Sequence, residues 1–569
     1  MPRSPSRRDE SIPAGGEAGA SVHLPSRVEH PLSRGQRALW LLHQLDPESS
    51  AYNVYLAMWI RSLVDVAALH RSFQCIVDRH TPLRSTFVAK EGMPIQRIAP
   101  RMPVEFSSRS VPDIGSAELL RLVRDEAQAP FDLERGPVFR VALFSRSPEE
   151  HVLLINSHHI VTDMWSTVVL MEELGVLYPA QCEGSRVKLP PLAAEYADFV
   201  RWQQEMVSGD EGEAHWQFWK EALSGRPPIL QLPTDRPRPL LQTYRGSGVK
   251  LRIGEEVTRK LKKLARAEKV TLFTLLVAAF QTLLHRYSGQ REILIGAPAG
   301  ARSRSDFERI VGYFVNPVVL RADFKGDPPF REFLQRARRE VVDALEHQDY
   351  PFPLLVERLQ PGRDPGRSPL FQVMFSFERP HRSEARGSPA FLFGEEGTRR
   401  SLAGLDMEPI LLELKGSQFD LTLAVHEAGE SLNANFEYNT DLFDPSTIDR
   451  MSSHFRELLD SIAADPSLKI SALPLLTPRE RRLVIRDFSG SAVSSSWPGP
   501  IHERIRAMAR LRPEAAAVQV GPQKTTYAEL EAQAERLAAR LKTLGAARGA
   551  VVGILATRSL ESILESSGC

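Results

Sequence analysis

At 569 residues the chain is too long for a single hydrophobic core, and roughly two to four folded units are expected. Hydrophobic residues make up 42% and charged residues 25%, the balance of an ordinary globular protein. Lys and Arg number 72 against 71 Asp and Glu, a formal net charge of +1, which offers no long-range attraction to a nucleic-acid backbone or an anionic membrane.

The three cysteines, Cys75, Cys182 and Cys569, are odd in number and far apart, without a CxxC pair. Neither a disulfide framework nor a zinc site is expected, and a reducing cytoplasm is the expected compartment. Residues 1–25 are rich in Ser, Pro, Gly and Arg with little to bury, which predicts a disordered tail. They hold no apolar stretch of the secretory kind, and no later apolar run is long enough to span a bilayer.

Structure is expected to begin near Pro31-Leu32-Ser33, where Trp40, Leu41, Leu42 and Leu45 follow a helical pattern. From there to about Pro500, apolar strands alternate with amphipathic helices, the signature of an α/β unit. His151–Asn156 reads as a buried strand. Met164–Tyr178 reads as a helix apolar around most of its circumference, and therefore buried on several sides. Thr271–Tyr287 is a second buried helix, stopped by Ser288-Gly289 and followed by a strand over Glu292–Gly296. Between these halves the stretch 232–239 is proline-rich and predicts an extended connector, so two lobes are expected at 26–235 and 240–485. A flexible linker is expected over 486–500. Beyond it, Thr526-Tyr-Ala-Glu529 is a capping box, with Leu530, Ala534, Leu537, Leu541 and Leu544 on one helical face. Gly545 should end that helix, and Val551–Ala556 reads as a strand.

The sharpest chemical signal is His158-His159-Ile-Val-Thr-Asp163, directly after the buried strand. A strand ending in two histidines brings an imidazole to the rim of a sheet, where substrate can reach it. An ordinary imidazole pKa of about 6.5 suits proton transfer near neutrality. The motif is short enough to arise by chance, and a buried histidine is more often a satisfied core residue than a catalyst. Adjacent histidines also lack the i, i+4 spacing that turns two ligands toward one metal.

Further stretches, taken in order, decide between these readings. They are Pro31-Leu-Ser with Gln36, Leu39-Trp40 and Ala51-Tyr-Asn53; Arg79-His80 with Leu83-Arg-Ser-Thr-Phe87; His158 to Ser166; Tyr196-Ala-Asp-Phe199 with Trp202-Gln203; Ile295-Gly-Ala-Pro298 with Arg302; Gly312-Tyr-Phe-Val-Asn316; and His347-Gln-Asp-Tyr-Pro-Phe352. Together they resemble the seven motifs of nonribosomal peptide synthetase condensation domains, relatives of chloramphenicol acetyltransferase, over almost all of 31–485. The resemblance implies an α/β fold of two chloramphenicol acetyltransferase-like lobes in a V with a central tunnel, plus an incomplete α/β C-terminal segment.

It also implies the chemistry. Donor and acceptor carrier proteins, parts of other synthetase modules, would present phosphopantetheine arms from opposite ends. The acceptor's amine would attack the donor thioester to form an amide, with no cofactor or metal bound by this chain, because a thioester is already activated. By the family pattern His159 is the central residue, either removing the proton from the amine or holding that amine in line. An α-amine pKa of about 8 leaves a useful neutral fraction, so positioning alone can suffice. His158 is implied to orient the loop, and Asp163 to pair with Arg302 between the lobes. Asn316, Trp202 and Tyr350 are expected to shape the tunnel or core rather than react. The family usually has glycine after the aspartate, and here Met164 stands there. Glycine would allow φ > 0 and close backbone approach, so oxyanion stabilisation by this amide is put in doubt and a changed substrate preference is expected. Pro317 after Asn316 is a smaller departure.

The tail 501–569 resembles the start of an adenylation domain through Thr526-Tyr-Ala-Glu-Leu530. The Ser/Thr/Gly-rich phosphate loop of such domains does not occur in the sequence, so amino-acid activation by this chain is not expected. Residues 562–569 do not continue the family pattern, which suggests a fragment, a frameshifted product or a broken module. The rival readings are an epimerisation or acyltransferase relative acting on a soluble acceptor, a non-catalytic module that docks carrier proteins, and a decayed product that does not fold.

Overall fold

The computed structural model describes residues 28–225, 229–360, 362, 364–378, 399–412, 415–488, 499–547, 550–553, 555, 560 and 563. The expected tail 1–25 and most of the expected linker, 489–498, lie outside them. The chain divides after Thr477 into two compact units.

The first unit is mixed α/β, built on two six-stranded sheets. In the first, the order is Arg400–Leu402, Leu405–Ile410, Asn53–Ile60, Glu150–His158, Phe139–Ser147 and Glu105–Ser110. In the second it is Asn316–Asp323, Glu292–Ala299, Val373–Glu378, Leu421–Ala428, Ser431–Asn439 and Gly246–Ile253. A small three-stranded sheet joins Val28–Pro31, Met93–Ile98 and Ser85–Lys90. Period-two patterning sets the faces. Along Ser431–Asn439, the residues Leu432, Ala434, Phe436 and Tyr438 are buried in the core, whereas Asn433, Asn435 and Glu437 alternate with them and are less buried.

The expected division at the proline-rich connector is crossed by the chain. Leu405–Ile410 pairs antiparallel with Asn53–Ile60, and Leu405 and Met407 are buried in the first core. This strand comes from the later half of the sequence, and its apolar face completes the first sheet's core. The connector itself is irregular and tied to the second core: Asp235 N–H donates to Leu442 O at 2.9 Å, and Arg238 pairs with Asp420.

The expected elements are present with longer bounds. Ser33 caps the helix Arg34–Leu45 in a capping box with Gln36. The buried strand runs Glu150–His158, and the helix after it Met164–Cys182, with buried residues on every side. Thr271 caps Leu272–Ser288, which ends at Gly289 in the left-handed region, φ 68°. Among the described residues no single helix is long and apolar enough to cross a membrane.

The second unit contains the short helix Pro478–Arg482, the helix Ile501–Leu511, a hairpin of Ala516–Val520 with Gln523–Thr526, and the helix Tyr527–Thr543. The Thr526–Glu529 capping box forms as expected, with Leu530 and Ala534 buried, but Leu544 is exposed. The strand expected at Val551–Ala556 does not form over its described residues. Val551–Gly553 and Leu555 are irregular, and Val551 and Leu555 are fully exposed. A strand needs a neighbour for its backbone groups, and among the described residues none pairs here.

Candidate active site

The histidine pair terminates the strand Glu150–His158, whose last residue lies opposite Asn53. The chain then turns sharply, and each imidazole is held by a different backbone partner. His158 Nδ1 accepts from Ile160 N–H at 3.1 Å, so this ring carries its proton on Nε2. It is buried edge-on to His43 and Phe131. Burial first, then the nearby His43 and His159, push its pKa down to about 3. His158 is therefore neutral at any working pH.

His159 is held the opposite way. Its backbone N–H donates to Tyr52 O at 2.8 Å, and its Nδ1 lies 2.7 Å from Thr162 O. A carbonyl can only accept, so Nδ1 bears the hydrogen and Nε2 carries the lone pair. Burial pushes the His159 pKa below its ordinary value, against smaller opposing effects from the Thr162 carbonyl and the Asp163 charge. The ring meets Tyr313 edge-on, with centroids 5.0 Å apart. The Tyr313 ring in turn occupies the space where a side chain at residue 35 would sit. A Cβ on Gly35 would fall 2.6 Å from Tyr313 Cε1.

Asp163 closes the loop and starts the helix. Its Oδ1 accepts from Ser166 N–H at 2.7 Å, the side-chain cap expected of an aspartate at this position, and from Ser166 Oγ at 2.6 Å. Arg302 Nη2 donates to both carboxylate oxygens at 3.0 and 3.2 Å, and Phe314 N–H reaches Oδ2 at 3.3 Å. The Arg302 and Asp163 side chains are only 7% and 3% exposed, so this is a buried pair and not a surface one. Arg302 is positioned further by the carbonyls of Phe307 and Ile310, each 2.7 Å from Nη1, and lies 3.9 Å over the Phe314 ring. Ser166 Oγ also engages Gly312 O at 3.0 Å and Gly312 N–H at 3.1 Å. The loop after the histidines is thus fastened to the segment 302–314 by charge and by backbone hydrogen bonds.

Met164 is the first residue of the helix that Asp163 caps, and its φ is not in the left-handed region. The conformational freedom of glycine is not needed there, which removes the backbone reason for doubting its amide. That amide belongs to the first turn, whose N–H groups have no intrahelical acceptor.

The sequence candidates do not all converge. His158, His159, Asp163, Met164 and Arg302 share one neighbourhood. Asn316 uses its whole amide elsewhere: Nδ2 donates to Gln348 O and Tyr350 O at 2.7 Å each, and Oδ1 accepts from Phe352 N–H at 2.8 Å. It staples the segment 348–352 to the second sheet. Trp202 packs against the aromatic cluster of Tyr196, Phe199, Phe307 and Phe314, and Tyr350 is buried against Trp216. Ser166 and the Thr162 carbonyl have no role assigned from sequence, and a backbone carbonyl has no sequence signal at all. Tyr313 does have one, since it stands inside Gly312-Tyr-Phe-Val-Asn316.

Among known proteins, the family described as Condensation domain matches residues 26–485, and the family described as AMP-binding enzyme matches 505–569. A linear gramicidin synthase of Brevibacillus parabrevis is 38% identical over 96% of this chain, although the chain spans only 7% of that relative's length. Bacitracin synthase 3 of Bacillus licheniformis is 34% identical over 96% of the chain, which spans 8% of it. Of the solved structures, the X-domain from teicoplanin biosynthesis superposes with a TM-score of 0.70 and 27% identity, covering 78% of this chain and 97% of that one. Over residues 26–485 the chain belongs to the condensation-domain family of nonribosomal peptide synthetases, the acyltransferase-like domains that form amide bonds.

Proposed function

We propose that this chain joins a donor acyl or peptidyl thioester to the amine of an acceptor aminoacyl thioester, with both substrates presented on phosphopantetheine arms of carrier proteins. The acceptor nitrogen attacks the thioester carbonyl carbon, the carbon–sulfur bond breaks, and the sulfur leaves as a thiol. His159 Nε2 accepts a hydrogen bond from the attacking amine, takes its proton as the tetrahedral intermediate forms, and returns it to the departing sulfur. The observation that carries this reading is the His159 Nδ1 held 2.7 Å from Thr162 O, which leaves the lone pair on Nε2, while burial disfavours the charged ring. Positioned acid–base groups of this kind contribute roughly 10²–10⁴ in rate. His158 and Asp163 act as positioning residues, with the Asp163–Arg302 pair holding the loop. The first-turn amide of Met164 is the candidate donor to the oxyanion. The layout that goes with this reading is an N-lobe at 26–235, a C-lobe at 240–485 and the start of an adenylation domain at 501–569. Carrier domains and neighbouring synthetase modules in the cytoplasm are its partners.

One observation favours a second reading, a carrier- or enzyme-docking module. The teicoplanin X-domain, 27% identical to this chain, is also known in a complex with OxyB. The test uses one carrier loaded with a donor acyl thioester and a second loaded with an aminoacyl thioester. Intact-mass analysis should show the acceptor carrier gaining the donor's mass when the protein is added. Carrier binding without any transfer, across a panel of donors and acceptors, would favour docking.

A further inference from the structure

Ser33, Gln36, Tyr196 and Tyr313 have no part in the reaction as drawn, yet they surround the reacting loop with one connected set of contacts. The Nδ1 hydrogen bond to Thr162 O fixes one edge of the His159 ring, but a single hydrogen bond acts as a hinge and leaves the plane of the imidazole unset. Proton transfer from a bound amine needs the Nε2 lone pair aimed as well as free. A second contact on this ring is the Tyr313 side chain, edge-on at 83° with centroids 5.0 Å apart, an arrangement in which aromatic rings attract one another.

Tyr313 can act as a fixed wall because its backbone is tied down at three consecutive residues. Gly312 meets Ser166 Oγ through both its N–H and its carbonyl, and Phe314 N–H donates to Asp163 Oδ2. Between them, the Tyr313 carbonyl accepts from the Tyr196 hydroxyl at 2.7 Å. Tyr196 spends its one hydroxyl hydrogen there, so the 3.1 Å contact with Ser33 Oγ is donated by the serine. Ser33 is the N-cap of Arg34–Leu45, and its capping-box partner Gln36 donates from Nε2 to Ile160 O at 3.0 Å, inside the turn that follows the histidines. Ser33, Gln36 and Tyr196 are all buried. The same helix makes room for the ring: a Cβ on Gly35 would fall 2.6 and 3.1 Å from Tyr313 Cε1 and Cδ1. Gly35 lies within the helix and its φ is not in the left-handed region, so its missing side chain serves space and not backbone freedom.

We propose that Tyr313 is a positioning residue for the condensation step: its ring, seated in the notch at Gly35, sets the plane of the His159 imidazole and keeps water from that face. The proposal rests on the condensation reading for its effect on rate, whereas the contact itself is read without substrate. Through Gln36, Ser33 and Gly35, the first helix aligns the histidine turn and the ring that faces it as one piece. Burial is the main reason the His159 pKa lies below its ordinary value. Removing the ring admits water, so the imidazole should then titrate closer to about 6.5.

The full chain with isotope-labelled histidines is titrated by NMR, the His159 signal being identified by its loss in His159→Gln. Single-turnover transfer between loaded carriers is followed on the same preparations. Tyr313→Ala should slow transfer by roughly 10–100-fold without raising the carrier concentration needed for half-maximal rate. Its His159 titration and the acid limb of its pH–rate profile should both move to higher pH. Tyr313→Phe should restore most of the rate and the native titration, and the loss caused by Gly35→Ala should vanish in a Tyr313→Ala background. A Tyr313→Ala rate within about threefold of native, a loss of rate with the titration unmoved, or a Tyr313→Phe variant as slow as Tyr313→Ala would overturn the proposal. If the native chain transfers nothing, the condensation reading fails alone, and the titration still decides whether Tyr313 sets the surroundings of His159.

Discussion

The helix Met164–Cys182 carries two buried charge networks, and the contrast between them shows how this fold divides stability from positioning. At the first turn, Asp163 binds Arg302, a residue 139 positions away, and through it the loop of His159 is fastened to the segment 302–314. Further along the same helix, Glu173 binds Arg79 at 3.0 Å and His80 at 2.8 Å, both from the neighbouring helix Val66–Arg79 and its C-cap. Both carboxylates are shielded from water. They differ in what they hold: Glu173 locks one helix to another within the first core, whereas Asp163 decides where the turn after the histidines sits. Their partners differ too. Arg79 is 17% exposed and also reaches Pro190 O, while Arg302 is 7% exposed and depends on the carboxylate to balance its charge.

That difference sets the ranking of the predictions. Asp163→Ala leaves a guanidinium buried without its counter-charge, and a cost of about 3–5 kcal/mol is expected. It should appear as a large drop in the urea unfolding midpoint, and a cost below about 1 kcal/mol would mean the pair behaves like a surface one. Glu173→Gln keeps the shape and most hydrogen bonds, and its arginine can turn toward water. About 1–3 kcal/mol is expected, measured the same way, and the ordering of the two variants is the point at issue.

Acid should loosen the fold in two steps whose signs follow from the pKa directions. His158 is held down at about 3 when folded, so the unfolded chain binds a proton from about pH 6.5 downward while the folded chain does not. Its contribution to stability is therefore lost as pH falls from 6.5 toward 3. Glu173 is pushed up by burial, but His80 and Arg79 outweigh this and hold it below 4.5, so its contribution is present above 4.5 and is lost only below. In a Glu437→Gln background, which removes a buried carboxyl pushed up to about 7 whose effect runs the opposite way between pH 7 and 4.5, thermal midpoints should decline from pH 6.5 onward and more steeply below 4.5. A midpoint flat between pH 6.5 and 5 would contradict the buried neutral His158. The smallest effect is expected of Met164→Gly, less than about 1 kcal/mol, because a first-turn residue with ordinary φ gains nothing from glycine. A clear rise in transfer rate for that variant would show that the glycine usual in this family does matter here.

Much of this site is legible in the residues. The strand into His158, the helix from Met164 and the Asp163–Arg302 partnership follow from patterning and from the family motifs. The remainder is written in contacts that a linear reading does not display. Nothing near residue 405 marks Leu405–Ile410 as a strand of the first sheet, since that pairing is settled by which core has an open edge. The tautomer of His159 hangs on the carbonyl of Thr162, which any residue would supply. Methionine after Asp163 reads as a loss because glycine suggests a left-handed backbone, and the helix begins there without one. Val551–Ala556 has the composition of a strand, yet over its described residues it has no partner to make it one.

The role of the His159 Nε2 lone pair in handling the proton of the attacking amine is tested most directly by single-turnover transfer between loaded carriers, comparing the native chain with His159→Ala at matched thermal stability. The variant should be slower by roughly 10²–10⁴. A variant within about threefold of the native rate would place the chemistry elsewhere.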